Sequence, residues 1–438
     1  MASAEGKFRI RRPNTRPNPR PVAAGPPVEI RIETVGAQGD GVAAHGVFAP
    51  LTLPGELVLA TVSGGRGEVL QVIEPSPQRV EPPCPHFGVC GGCALQHWDP
   101  APYLDWKVEQ IRLALGRERI ETELLSPFAV PPQSRRRVAL HARRGSSKDT
   151  ARLGFKERRS WNLVPIQVCP VSHPRLVAAF PALARMAAPL LEHPKSAPTL
   201  HVTLTDAGLD IDISGVEGKY SGGLSADARM RVAEAAAAAD FARVTLDGDM
   251  LYGARTPSVR IGPATVALPP GAFLQAVPQA EQAMAQFAVE ALAGAGQVAD
   301  LFCGVGAFAL RLAATAGVLA IDSADGAVKA LASARATAPG LKAIAVQTRD
   351  LSKRPLLAQE MTKLDGVLFD PPRAGAAEQA VEIAASRLSR VVGVSCNPAT
   401  FARDARILAD AGFVLERVLP VDQFLWSPHV ELVGVFSR

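Results

Sequence analysis

The sequence predicts an α/β protein. Its C-terminal part reads as a doubly wound, mainly parallel sheet, preceded by an OB-like β-barrel and a central α+β region. Three observations predict this. From about residue 266, short apolar runs alternate with helical ones. Between residues 27 and 75, strand-like runs are packed between glycine-rich turns. Between those two parts, strand and helix patterns are mixed. The resulting segments are 1–26, 27–80, 81–265 and 266–438.

Each segment has its own signature. Residues 1–26 place Lys7, Arg9, Arg11, Arg12, Arg16 and Arg20 among prolines without a hydrophobic period, the composition of a disordered basic arm. VEIRIETV, GVAAHGVFA, GELVLATVS and GEVLQVIEP then give several short strands in little chain, hence a small barrel. A Pro-rich connection and three cysteines follow. PYLDWKVEQIRLALG (102–116) has helical spacing. In the central region SRRRVALHARR and LHVTLTDAGLDIDIS read as strands, and LVAAFPALARMAAPLL and ADARMRVAEAAAAADFA as helices. In the last segment QVADLF, VLAID, AIAVQTRD, DGVLFD, RVVGVS, FVLERVLPV and VELVGVF read as strands, most of them followed by a helical stretch. The final two strands have only a short connection, which makes them antiparallel.

The composition bounds the function. With 438 residues, 47% hydrophobic and 20% charged, the chain can bury two or three domain cores. A net charge of +5 is a mild bias toward a polyanionic partner. No run of about eighteen uncharged apolar residues occurs, which argues against a membrane span. The basic N-terminus has no apolar stretch behind it, unlike a secretory signal, so the protein is expected in the cytoplasm.

The candidate site lies in the last segment. QVADLF runs into CGVGAF, where Gly304 and Gly306 let the backbone turn sharply and approach a ligand. Asp322, Asp350 and Asp370 end the next three strands, at the edge where open α/β sheets bind ligands. An acid at Asp322 suits the hydroxyls of a ribose. These features fit either a nicotinamide cofactor or S-adenosylmethionine. DPPR (370–373) follows a strand, with Arg373 as a candidate partner for a phosphate or enolate oxygen. SCNP (395–398) ends another strand and opens a helix at Pro398, so the helix dipole is expected to lower the pKa of Cys396. Glu431 begins the apolar run VELVGVF at the same edge, where burial would raise its pKa, as a general base requires. Separately, Cys84, Cys90 and Cys93 crowd one short stretch, and Cys169 is the obvious fourth thiol. Four such ligands suit zinc or an iron–sulfur cluster. Cys303 has no assignable role.

Five motifs taken together, GAFLQ (271–275), DLFCGVGAF (300–308), DPPRAG (370–375), SCNP (395–398) and HVE (429–431), with the C-x5-C-x2-C spacing, resemble those of the RNA 5-methyluridine methyltransferases. The similarity is greatest to the iron–sulfur, TRAM-containing branch that modifies 23S rRNA, and it runs over nearly all of 27–438. It implies a class I (Rossmann-like) S-adenosylmethionine methyltransferase domain over 266–438 and a TRAM-like barrel over 27–80. Residues 81–265 become an RNA-binding region holding a [4Fe–4S] cluster on Cys84, Cys90, Cys93 and Cys169. It also implies Cys396 as nucleophile, Glu431 as proton-abstracting base, and Gln275, Phe302, Gly304, Asp322, Asp350 and Asp370 around S-adenosylmethionine. The implied partner is RNA, ribosomal or transfer, bound by a monomer. The family pattern is broken at Val277, Ala307, Asp322 and Leu425. A non-catalytic RNA-binding or assembly factor is the alternative that those departures motivate. An RNA cytosine C5-methyltransferase would carry a Pro-Cys motif, which DPPR lacks.

Overall fold

The computed structural model describes residues 25–147 and 150–438. The basic arm expected at 1–26 falls, up to residue 24, outside the described residues. The chain divides into two compact units, one ending at Pro77 and one beginning at Gln78.

The first unit is a closed barrel of β1 (Val28–Val35), β2 (Asp40–Ala43), β3 (Val47–Pro50), β4 (Leu57–Ser63) and β5 (Arg66–Glu74), in the order β1-β2-β3-β5-β4. Alternate residues point inward, and Ile32, Ala43, Ala49, Val58 and Ala60 fill the interior. Gly41 is required by close packing, since a Cβ there would lie 2.0 Å from Thr52 Oγ1.

The second unit contains α1 (Pro100–Arg117), then the two-residue strands β6 (Glu123–Leu124) and β7 (Phe128–Ala129). Next come β8 (Arg137–Arg144), β9 (Ala151–Lys156), β10 (Leu163–Pro165), α2 (Pro174–Ala178), α3 (Phe180–Ala187), β11 (Thr199–Thr205), β12 (Gly208–Ser214), α4 (Ala226–Ala238), β13 (Arg243–Leu246) and β14 (Asp249–Gly253). The seven strands β8–β14 form one sheet in the order β10-β9-β8-β11-β12-β13-β14, covered by α3 and α4. The single helix expected over LVAAFPALARMAAPLL is interrupted. Pro181 has no N–H and its ring collides with the carbonyl four residues back, so α2 ends and α3 begins just before it.

After the hairpin β15 (Ser258–Ile261) and β16 (Ala264–Ala267) comes the last layer. It holds α5 (Pro278–Ala291), β17 (Gln297–Leu301), α6 (Ala309–Leu312), β18 (Gly317–Asp322), α7 (Asp325–Thr337), β19 (Ile344–Thr348) and β20 (Gly366–Phe369). It continues with α8 (Ala377–Ala385), β21 (Arg390–Ser395), α9 (Pro398–Asp410), β22 (Val414–Asp422) and β23 (Glu431–Ser437). The strand order is β19-β18-β17-β20-β21-β23-β22-β6, with β7 also on β22. Strands β17–β21 are parallel, and β22 and β23 are antiparallel as expected. Both faces are buried. Val298, Leu368 and Val433 meet α5 and α7, while their neighbours Ala299, Val367 and Leu432 meet α1, α8 and α9. Each fully buried Val or Leu contributes roughly 1.5–3 kcal/mol. Thus α1, β6 and β7, from the stretch grouped by sequence with the central region, complete the C-terminal sheet. No helix among the described residues is long and apolar enough to cross a membrane.

Candidate active site

The strand order reverses direction between β17 and β20, which leaves a crevice at the strand C-termini. Because β23 runs antiparallel, its first residue reaches the same edge. A cavity of about 1080 Å³ opens there, and its walls include Gln275, Phe302, Gly304, Asp322, Asp350, Asp370, Cys396 and Glu431. The structure therefore brings every predicted catalytic and cofactor residue to one cavity.

At one end the chain leaves β17 through Phe302 (φ 64°), Gly304 (φ 53°) and Gly306 (φ 95°). Gly306 is packed so closely that a Cβ would lie 2.4 Å from Leu331 Cδ1, whereas Gly304 faces open space with no atom within 4 Å of that position. That opening is the close approach a ligand needs. Asp322 accepts from Gly304 N (2.9 Å) and Ala324 N (2.8 Å), tying this loop to the next. Asp350 lies two residues beyond β19 and accepts from Ser352 N and Oγ. Lys353 and Ser352 hold its carboxyl down to about 2. Asp300, unassigned from sequence, is fully buried under the loop, and burial pushes its pKa to about 8. An acid inside the apolar run VADLF was the signal for it. Cys303 is likewise buried, its thiol well above the usual range, which fits a packing role.

At the other end two turns are stitched together. Asn397 caps α9 through Ala399 N (3.1 Å) and donates to Arg373 O (3.1 Å), and Thr400 Oγ1 also donates to Arg373 O. Cys396 thus sits beside the Arg373 guanidinium. The expected depressed thiol pKa is not found. Burial and then the nearby Glu431 raise it, and Arg373 opposes them. Desolvation and the Glu431 carboxyl outweigh the dipole of α9 at the sulfur. Arg373 also reaches His429 Nδ1 (2.8 Å), whose pKa is held to about 4 by burial and then by Arg373.

Two carboxyls face this end. Glu431 is buried, which lifts its pKa to about 7, and Gln423 and Arg373 pull the other way. Asp370 is raised well above the carboxylate range by desolvation, Glu431 and Asp300. Gln275 donates to Asp370 Oδ2 (3.2 Å), and Gln423 donates to Gln275 Oε1 (2.8 Å) and Glu431 Oε2 (2.8 Å). Gln423 carried no sequence signal.

The basic run 134–144 is partly committed inward. Arg136 is buried against Glu281 (2.6 Å), and Arg137 donates to Leu274 O (2.7 Å).

Cys84, Cys90, Cys93 and Cys169 line a second cavity of about 170 Å³, next to the first and sharing Arg135, Phe424 and Ser427 with it. Gly91 lets the cysteine turn meet β9, since a Cβ there would lie 2.8 Å from Lys156 O. Burial, with Cys169, Cys90 and Cys84 around it, pushes the Cys93 thiol up to about 12. Among the described residues, no group of three or more His, Cys, Asp or Glu is set to hold a metal ion.

Residues 265–438 match the family model described as tRNA (uracil-5-)-methyltransferase. An uncharacterized RNA methyltransferase of Caulobacter vibrioides is 64% identical over 414 residues, covering 94% of this chain and 100% of that one. The 23S rRNA (uracil(1939)-C(5))-methyltransferase RlmD of Alkalilimnicola ehrlichii is 33% identical over 443 residues, covering 94% and 97%. The chain belongs to the RNA (uracil-5-)-methyltransferase family. As a member of this family it is an enzyme, an RNA methyltransferase. Its fold is shared with the Pyrococcus abyssi tRNA (uracil-54, C5)-methyltransferase solved with S-adenosyl-L-homocysteine. That match has a TM-score of 0.69 at 23% identity and covers 93% of this chain and 99% of that one.

Proposed function

We propose that this methyltransferase forms 5-methyluridine in 23S rRNA, with S-adenosylmethionine as donor and through a covalent bond from Cys396 to C6 of the uracil. The observation that carries the reading is a single cavity with a glycine loop and ribose-type acid at one end, and a thiol facing a buried carboxyl at the other. S-adenosylmethionine supplies an electrophilic methyl group. Cys396 adds to C6, and the displaced electrons pass to the ring as an enolate whose C5 takes that methyl as its bond to the donor sulfur breaks and S-adenosylhomocysteine leaves. Arg373, beside the sulfur, stabilises the thiolate. Glu431 then removes the C5 proton, and the C6–S bond breaks to free the thiol. A carboxyl with a pKa near 7 is matched to this step. The target base must leave its stack to reach the cavity. The barrel and the arm at 1–26 are assigned to RNA contact, and the protein acts as a monomer.

Ribosomal RNA is favoured over transfer RNA by the RlmD relative, which is similar along nearly the whole chain. Incubation of unmodified 23S rRNA and tRNA transcripts with methyl-labelled donor tests this. Labelled 5-methyluridine is expected in the rRNA, and labelling of tRNA alone would overturn the assignment. Asp322→Ala, which removes the ribose acid and frees the Gly304 loop, is expected to weaken S-adenosylhomocysteine binding about tenfold or more by calorimetry. Unchanged affinity would remove Asp322 from the donor site.

We further propose that the four cysteines hold a [4Fe–4S] cluster that staples the segment before α1 to the central sheet. Four half-buried sulfurs around one cavity support it, since a cluster of this kind is held by four cysteine thiolates. Anaerobically purified protein is expected to contain about four irons and four sulfides, and Cys93→Ser to lose most of them. Zinc as the sole metal would contradict the assignment.

A further inference from the structure

Gln423 closes β22's connection to the site, yet the reaction described above gives it no part. It is 1% exposed, between the buried Asp422 and the cavity-lining Phe424. Asp422 is held by Lys107 of α1, which also donates to Phe424 O (3.1 Å), and Tyr103 of α1 accepts from Trp426 N (2.8 Å). These contacts fix the backbone on both sides of Gln423. Its amide nitrogen has two hydrogens and two acceptors, Gln275 Oε1 and Glu431 Oε2, both at 2.8 Å. Since Gln275 in turn donates to Asp370, one buried chain of amides joins the two carboxyls. The polarity of that chain is set by its ends, because both carboxyl oxygens accept. Reversing the amide would turn Gln423 Oε1, which has no hydrogen-bond partner among the described residues, onto two acceptors, Gln275 Oε1 and Glu431 Oε2.

We propose that Gln423 is a positioning residue for Glu431: it aims the carboxylate, keeps it ready to accept the C5 proton, and locks it to the Gln275–Asp370 pair. This rests on the reading of Glu431 as base. The other titratable or charged groups around Glu431 are Asp370 and Arg373 after β20, Cys396 after β21 and His429 before β23. On the α5 side Glu281 is taken up by Arg136 (2.6 Å) and Arg311 (3.1 Å). Gln423 is thus the neutral donor that favours the charged carboxylate, beside the cation Arg373. Removing it leaves Glu431 harder to deprotonate, so the base is lost from the acid side upward.

The test uses 23S rRNA transcribed with 5-tritiated uridine, so that tritium released to water reports cleavage of the C5–H bond. Gln423→Met keeps the length and removes the donor. Its acid-limb midpoint is expected to rise by about one pH unit or more, so that release at pH 7 falls about fivefold or more and recovers at alkaline pH. Release is read at saturating S-adenosylmethionine, because Gln423 also bonds Gln275 of the donor site. Gln423→Asn, whose shorter amide falls short of Glu431, is expected to shift the midpoint in the same direction. A loss equal at every pH in both variants, with the midpoint unmoved, would overturn the proposal. Glu431→Gln in the same assay separates the two claims. If it releases tritium normally, Glu431 is not the base. If it does not, and Gln423→Met has the wild-type midpoint, only the role of Gln423 fails.

Discussion

Cys396→Ala is expected to abolish methyl transfer to RNA, lowering turnover by roughly four orders of magnitude or more, while S-adenosylhomocysteine affinity is unchanged. The size follows from the chemistry. Uracil C5 is a poor nucleophile until a group adds at C6, and among the described residues Cys396 is the one thiol lining the cavity. Cys303 is the nearest thiol in sequence to the glycine loop, but it is 4% exposed and packed against apolar side chains. The unchanged affinity is part of the prediction because Cys396 lies at the opposite end of the cavity from Gly304 and Asp322. Methyl transfer by the variant within tenfold of wild type would remove the covalent step.

For Glu431→Gln, addition and methylation proceed and elimination stalls. A covalent protein–RNA complex that survives denaturing electrophoresis is expected to accumulate, with multiple turnover reduced about 10²- to 10⁴-fold. Wild-type turnover should carry the same signature in its pH dependence. Glu431 is protonated below about 7 and ionised above it, so elimination rises with pH through that value and the adduct is favoured below it. Clean release of methylated RNA by the variant would count against Glu431.

Much of this site was legible before the structure because its chemistry is tied to strand ends. Once QVADLF, VLAID, DGVLFD and RVVGVS are read as parallel strands, Phe302, Asp322, Asp370 and Cys396 must share one edge, whatever the details of packing. The antiparallel return of β23 brings Glu431 there for the same reason. What was hidden depends on contacts between residues far apart in the chain. The two-residue strands β6 and β7 have no period to detect, and they exist only because β22 offers an unpaired edge. Lys107 reads as a surface charge on an amphipathic helix until Asp422, 315 positions away, is placed against it. Gln423 is an ordinary polar residue in sequence, and only the joint placement of Gln275 and Glu431 gives its two hydrogens a purpose. The raised thiol pKa is hidden in sequence for a related reason: the dipole of α9 is local and visible, whereas the desolvation and the Glu431 carboxyl are tertiary. Likewise, Arg136 is one of three consecutive arginines in sequence, and only the fold pairs it with Glu281.

The central claim is a bond between Cys396 and uracil C6 on the way to a methylated C5. RNA containing 5-fluorouridine tests it most directly, because fluorine replaces the C5 proton, a base cannot remove it as a cation, and elimination is blocked. Wild-type protein incubated with such 23S rRNA and S-adenosylmethionine, then digested and weighed by mass spectrometry, is predicted to yield the Cys396 peptide bearing one fluorouridine nucleotide plus one methyl group. A Cys396 peptide of unmodified mass, or the adduct on any other residue, would contradict the account.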